Sequence, residues 1–208
     1  MEYHHESQTG KHERFSTEFI YGLRLPTYAY GDGMMIRDAL NTLKSYGDPY
    51  ERDFPGNNDV SVAQDNVTKH FDTIVDLAYP HRISTYYRCD NNDGIKTALM
   101  SHGPVIASMK TYIKAYLKKD VYTWDEKDDY GHHCVLIVGW NETGWIVQNS
   151  WGSSYGGDGK FILPFNYKLT EAWGITDSVQ DDTDIKKPNA FIKFISTICN
   201  KLVNFFRK

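Results

Sequence analysis

GHHCVLIVGWNETGWIVQNSWGSSYGGDGKF, residues 131–161, is the stretch whose reading decides the fold. It holds two apolar, β-branched runs of strand length, HCVLIVGW and GWIVQNSW, separated by Asn141-Glu142-Thr143-Gly144, which is turn chemistry. Cys134 to Trp140 and Trp145 to Ser150 are therefore predicted to pair as an antiparallel hairpin. Such a hairpin brings His133 and Asn149, sixteen positions apart in sequence, side by side. Asn149 can then accept a hydrogen bond from the imidazole and fix its tautomer. An isolated histidine beside an apolar strand is usually packed or solvated. Pairing with an asparagine that opens a Gly-rich loop points instead to a site. Its neighbour His132 is read as structural.

Upstream, the pattern is helical. Gly33 to Tyr46 places Ile36, Ala39, Leu40 and Leu43 on one face with Gly47 as the stop, which predicts a buried amphipathic helix. Residues 48–66 are rich in Pro, Gly, Asn and Asp and read as irregular loop. Arg82 to Arg88 reads as a strand. A second helix follows, with Asp93 as N-cap, Ile95, Ala98, Leu99 and His102 on one side, and Gly103-Pro104 as its end. From Pro104 onward the runs VIASM and KFIL join the hairpin as further strands. Helices first and strands later predict an α+β chain with two segregated halves.

Composition narrows the function. The chain has 208 residues, 40% of them hydrophobic, enough for a sizeable core. A net charge of −4 gives no bulk attraction to nucleic acid, and no apolar run is long enough to span a bilayer. The opening MEYHHESQTGKHERF lacks the apolar centre of a signal peptide. His4, His5 and His12 read as a solvated face without partners at metal-ligand spacing. Three cysteines, Cys89, Cys134 and Cys199, are too few and too dispersed for a disulfide framework or a metal site.

The motif HHCVLIVGW followed by NSWG and a Gly-rich loop resembles the papain-like (C1-type) cysteine peptidases, in which a histidine opens a strand of the form H-A-V-x-x-V-G-[YW]. Aligning Val135, Val138, Gly139 and Trp140 puts the family histidine on His133 and the family asparagine on Asn149, with Trp151 shielding their bond from water. Weaker likeness extends through GMMIRDALNTLKSYG, GIKTALMSHGPVIASM, KFILPFNY and AWGITD, from about Phe15 to Asp177. The resemblance implies a papain-like two-part fold, N-terminally truncated: residues 1–80 a remnant of the helical half, 81–180 the antiparallel β half with the His/Asn site, and 181–208 a linker and amphipathic helical tail. It implies peptide-bond hydrolysis on peptide or protein substrates, with no metal and no organic cofactor.

That family needs a cysteine at the start of a long central helix, where the macrodipole and the histidine lower its pKa. Its motif, C-G-[SA]-C-[WY], does not occur in these 208 residues, and MEYHHES resembles the tail of that helix. Cys134 follows His133 on a strand, so its side chain points to the other face, and it is expected in the core. Cys89 precedes a helix and keeps the order Cys, His, Asn, which leaves it a secondary nucleophile candidate. The family comparison places its helix away from the cleft. Two explanations stay open: a chain that begins inside a longer peptidase gene, preferred because His133, Asn149 and Trp151 are intact, or a noncatalytic relative serving as a binding or regulatory module.

The tail, PNAFIKFISTICNKLVNFFRK from Pro188 to Lys208, gathers Phe191, Ile195, Ile198, Leu202 and Phe205 on one half of a helical wheel and its lysines on the other. Packing on the protein's own surface, contact with a membrane surface or protein partner, and self-association are the uses such a face allows. With the central helix cut short, the apolar faces of Phe15 to Ile20, of Gly33 to Tyr46 and near Cys134 are expected to stand open, and the tail to dock there.

Overall fold

The computed structural model describes residues 1–24, 33–56 and 59–179. The described residues divide into one unit of residues 1–84 with 177–179 and a second of residues 85–176. The tail, and with it every expectation about its helix, lies outside the described residues.

In the first unit, α1 (Glu2–Thr9) precedes α2 (Thr17–Gly22), α3 (Ile36–Ser45), α4 (Val60–Ala78) and a 3-10 turn (Tyr79–His81). The Ser16 hydroxyl accepts the Phe19 amide at 3.2 Å and so caps α2. Phe19, fully buried, then packs with Val67, Ile74, Val75 and Ala78 of α4. The two helices approach closely because of Gly22: a Cβ there would lie 2.5 Å from Val67 Cγ2 and 2.7 Å from the Ala63 carbonyl oxygen. In α3 the buried residues Ile36, Leu40 and Leu43 repeat at i, i+4 and i+7, the stripe its sequence predicts.

Two expectations fail in this unit. The irregular stretch ends earlier than residue 66, since Asp59 Oδ1 accepts the Val62 amide at 3.2 Å and starts α4 at Val60, so a cap outweighs the turn-rich composition before it. The apolar faces of Phe15 to Ile20 and of α3 are not open either. Phe15, Phe19, Ile36, Leu40 and Leu43 are all buried.

The strands form one eight-stranded sheet in the order β1-β8-β2-β5-β6-β7-β4-β3. They are β1 (Arg82–Arg88), β2 (Val105–Tyr112), β3 (Tyr116–Lys118), β4 (Val121–Thr123), β5 (Tyr130–Trp140), β6 (Gly144–Gln148), β7 (Lys160–Pro164) and β8 (Glu171–Val179), with α5 (Asn92–His102) between β1 and β2. The N-cap of α5 is Asn91 rather than Asp93: its Oδ1 accepts the Gly94 amide at 2.8 Å. Pairing is antiparallel in β2–β5, β5–β6 and β6–β7, so the fold is α+β as the sequence predicts. Val105, Ala107 and Met109 alternate into the core with Val135, Ile137, Trp145, Val147, Phe161 and Leu163 from the next three strands. Each large side chain buried this way contributes about 1.5–3 kcal/mol.

Candidate active site

Register brings the site together. Ile137 faces Val147 across the β5–β6 hairpin. Continuing that ladder sets Asn149 opposite Val135, on the core-facing side and one same-face step from His133. Asn149 is held just past the end of β6 by its own backbone, since its amide donates to the Gly159 carbonyl at 2.9 Å. The Gln148 side chain adds bonds to the carbonyls of Asn149 and Gly159 at 3.2 and 3.3 Å. The Gly-rich loop thus folds back to clamp the residue.

Two side chains predicted from sequence meet here. His133 Nε2 lies 2.8 Å from Asn149 Oδ1. The same oxygen accepts the Ser150 amide at 2.8 Å. A backbone N–H can only donate, so the atom facing it is the carbonyl oxygen and not the amide nitrogen. His133 must then donate through Nε2. In the neutral ring the lone pair is left on Nδ1, the nitrogen that can accept a proton. Asn149 is buried, and its Nδ2 has no hydrogen-bond partner among the described residues.

Trp151 stacks on the imidazole with centroids 4.6 Å apart and planes at 26°. It covers the ring while remaining 46% exposed. Tyr155 meets its edge at 4.9 Å, and Phe161 in turn meets Tyr155 at 5.9 Å, which ties the tryptophan to the core. Tyr155 is a residue that sequence reading missed. Its only signal is an aromatic four positions after Trp151. A cleft of ≈ 430 Å³ lies beside Asn149, lined by Gln148, Ser150, Ser153, Asp158 and Lys160. Neither His133 nor Trp151 lines it.

Neither described thiol is activated as a nucleophile. Cys89 is buried, its amide donating to the Ala172 carbonyl at 2.9 Å. Burial pushes its thiol up, against a smaller pull from a backbone hydrogen bond at Gly174. A nucleophile needs the opposite. Cys134 is exposed and not in the core, because β5 turns Val135 and Ile137 inward and Cys134 outward. Loss of hydration, then the Glu171 carboxylate, push its thiol up to about 11. Open surface and lost hydration pull against each other here; the surface governs access, and on either account the group is a thiol at neutral pH. His132 is exposed, edge-on to Tyr130 at 5.7 Å. Among the described residues no group of three or more His, Cys, Asp or Glu is placed to hold a metal ion.

The model for papain family cysteine proteases matches residues 27–180. The chain belongs to that family. It is 42% identical over 74 residues to the cathepsin B-like cysteine proteinase 3 of Caenorhabditis elegans, which covers 33% of this chain and 20% of that protein. Against human cathepsin O it is 32% identical over 105 residues, 46% of this chain and 30% of that one. The chain thus spans less than a third of the length of these papain-family relatives. In fold it is similar to xylellain, a cysteine protease from Xylella fastidiosa, with a TM-score of 0.71 at 22% identity over 85% of this chain and 75% of that one. It is also similar to the clostridial cysteine protease Cwp84, with a TM-score of 0.68 at 19% identity over 88% and 51%.

Proposed function

We propose that the chain carries the histidine and asparagine half of a papain-type peptidase site, acting on peptide or protein substrates. The observation that supports this best is the bond from His133 Nε2 to Asn149 Oδ1, which leaves Nδ1 as the proton acceptor. In the complete site a cysteine from outside these residues gives its proton to His133 Nδ1 and attacks the scissile carbonyl. The tetrahedral adduct collapses to a thioester as His133 returns the proton to the leaving amine. Water, deprotonated by His133, then hydrolyses the thioester and releases the acid. Asn149 keeps the ring oriented throughout, and Trp151 keeps water from their bond. Residues 1–80 are on this reading the remnant of the helical half, 81–180 the β half, and 181–208 an appended tail that serves contact with a membrane surface, a protein or a second copy.

The test is reconstitution. The chain alone should leave an unstructured protein uncut. Fused to an N-terminal segment bearing the family cysteine motif, it should cut it, and His133→Ala should abolish the cutting. Hydrolysis by the unfused chain, blocked by a thiol alkylator and lost on Cys89→Ala, would move the nucleophile to Cys89. The second reading is a noncatalytic binding or regulatory module, consistent with neither described thiol being activated. It predicts peptide binding without cleavage even in the fusion.

A further inference from the structure

α1 has almost no apolar face: its one buried residue is His4. Beside His4, His5 seats the helix on a cluster of rings. That imidazole meets Phe15 at 5.7 Å, Tyr50 at 5.5 Å and His81 at 6.0 Å. Phe15 meets Tyr50 at 5.1 Å and His81 at 5.4 Å, and Tyr50 meets His81 at 4.5 Å. Each of the four rings therefore touches the other three, and His4 and His5 do not belong to the solvated face that the sequence suggests.

Two of the rings are fixed by backbone. Phe15 and Tyr50 form an antiparallel bridge, flanked by Ser16 N–H to the Pro49 carbonyl at 2.9 Å and Glu51 N–H to the Arg14 carbonyl at 2.8 Å. The other two, His5 on α1 and His81 on the turn after α4, are the members that can take up charge. The surroundings of His81 are unfavourable to that. Arg52 lies 4.2 Å over Tyr50 and pairs with Glu13. Burial first, then His5 and Arg52, hold His81 below the usual imidazole range, with Asp53 pulling the other way. On the α1 side, Glu2 accepts the Phe15 amide at 3.4 Å and Glu6 is occupied with His12 at 3.1 Å.

We propose that the His5–Phe15–Tyr50–His81 cluster is an acid-released latch that holds α1 in the first unit. With both imidazoles neutral the rings pack edge to face. When His81 takes up a proton, its charge stands near Arg52 and against His5 in a half-buried nest, and α1 loses its seat. The direction follows from linkage: a histidine whose folded pKa is depressed contributes stability above its ordinary value near 6.5, and that stability is lost as pH falls through the folded value. On the reading that α1 is the tail of the nucleophile helix, the latch also decides whether the end of that helix stays anchored.

The test is hydrogen exchange on the full chain at pH 7.5 and 5.0, corrected for the intrinsic pH dependence of exchange. Protection of the α1 amides, His5 and Gly10 among them, should fall about tenfold or more at pH 5.0 while α3 keeps its protection. The double variant His5→Phe/His81→Phe should hold α1 at both pH values. Equal protection at both pH values in the wild type, or an undiminished loss in the double variant, would overturn the latch. Where the double variant does not fold, an NMR titration of the wild type decides. The His5 and His81 ring signals must move together with loss of the α1 amide signals, and independent titrations overturn the proposal. Neither readout depends on peptidase activity, so failure of reconstitution leaves the latch standing.

Discussion

Trp151 lies over the His133 imidazole with its plane only 26° from parallel, and Tyr155 meets that same indole at 86° from the other direction. The indole is thus held between the ring it shields and a ring that leads back to Phe161 in the core.

Replacing Trp151 by Ala should expose the His133–Asn149 bond without unfolding the protein. An exposed aromatic pair contributes about 0.5–1.5 kcal/mol, so the loss in stability should stay in that range. The His133 Nε2–H should exchange with water about fivefold faster, because a net hydrogen-bond worth of about 1 kcal/mol is returned to competition with solvent. Tyr155→Ala should give a smaller change in the same direction. Proton NMR of the imidazole N–H checks both, and an unchanged exchange rate in Trp151→Ala would mean that the indole does not shield the bond.

Asn149 supports two donors through one oxygen, His133 Nε2–H and Ser150 N–H. Asn149→Ala should therefore cost about 1–3 kcal/mol, the penalty for leaving buried donors without a partner. Asn149→Asp keeps both bonds and puts a negative charge against the ring, which favours the imidazolium over the neutral ring. Denaturant unfolding measures the first effect and a histidine NMR titration the second. Less imidazolium in Asn149→Asp than in wild type at the same pH would show that the carboxylate does not face the ring.

Much of this site was legible in sequence because strand period and turn chemistry are local. Asn141 to Gly144 dictate the turn: Asn141 Oδ1 accepts the amides of Thr143 and Gly144 at 2.8 and 3.1 Å. The pairing of the two strands follows from it, but the shared face of His133 and Asn149 does not: the ladder shifts by one residue between Ile137 and Gly139, and only past that irregularity does Asn149 fall opposite Val135. What escaped depends on contacts distant in sequence. α4 was hidden by the loop-like composition before it and is set by the Asp59 cap and by packing against α2. His5 looked solvated because its partners, Phe15, Tyr50 and His81, come from three separate segments. Cys134 looked like core because alternation turns it away from His133, yet the face opposite His133 is the outer one, and Val135 and Ile137 take the core side.

The two described thiols should separate cleanly under alkylation. Cys134 is exposed and Cys89 only 6% exposed, so a small alkylator should reach Cys134 in the folded protein and Cys89 only on unfolding. Only thiolate reacts, and Cys134 titrates at about 11, so its rate should rise about tenfold per pH unit from 7 to 9. Peptide mapping after timed labelling resolves the sites. Fast labelling of Cys89 at pH 7 would contradict both its burial and its raised pKa.

Asp48 supplies the last prediction. Its carboxyl is buried, Oδ1 has no hydrogen-bond partner among the described residues, and burial pushes its pKa well above the usual range. The Met1 amino group pulls the other way and Glu2 adds to the rise. An acid whose folded pKa exceeds its unfolded value binds its proton more tightly when folded. Its penalty is therefore absent below the unfolded value near 3.9 and grows as pH rises toward the folded value. Asp48→Asn removes the charge and keeps the shape. It should match wild type near pH 3.5 and be more stable at pH 7 by about 1–3 kcal/mol, the range for relieving a buried acceptor without a partner. Urea unfolding of both proteins at the two pH values tests this, and His81, which titrates in the same interval, cancels in the difference. A variant less stable than wild type at pH 7 would mean that the Met1 amino group and the Asp48 carboxylate stabilise each other by more than burial costs.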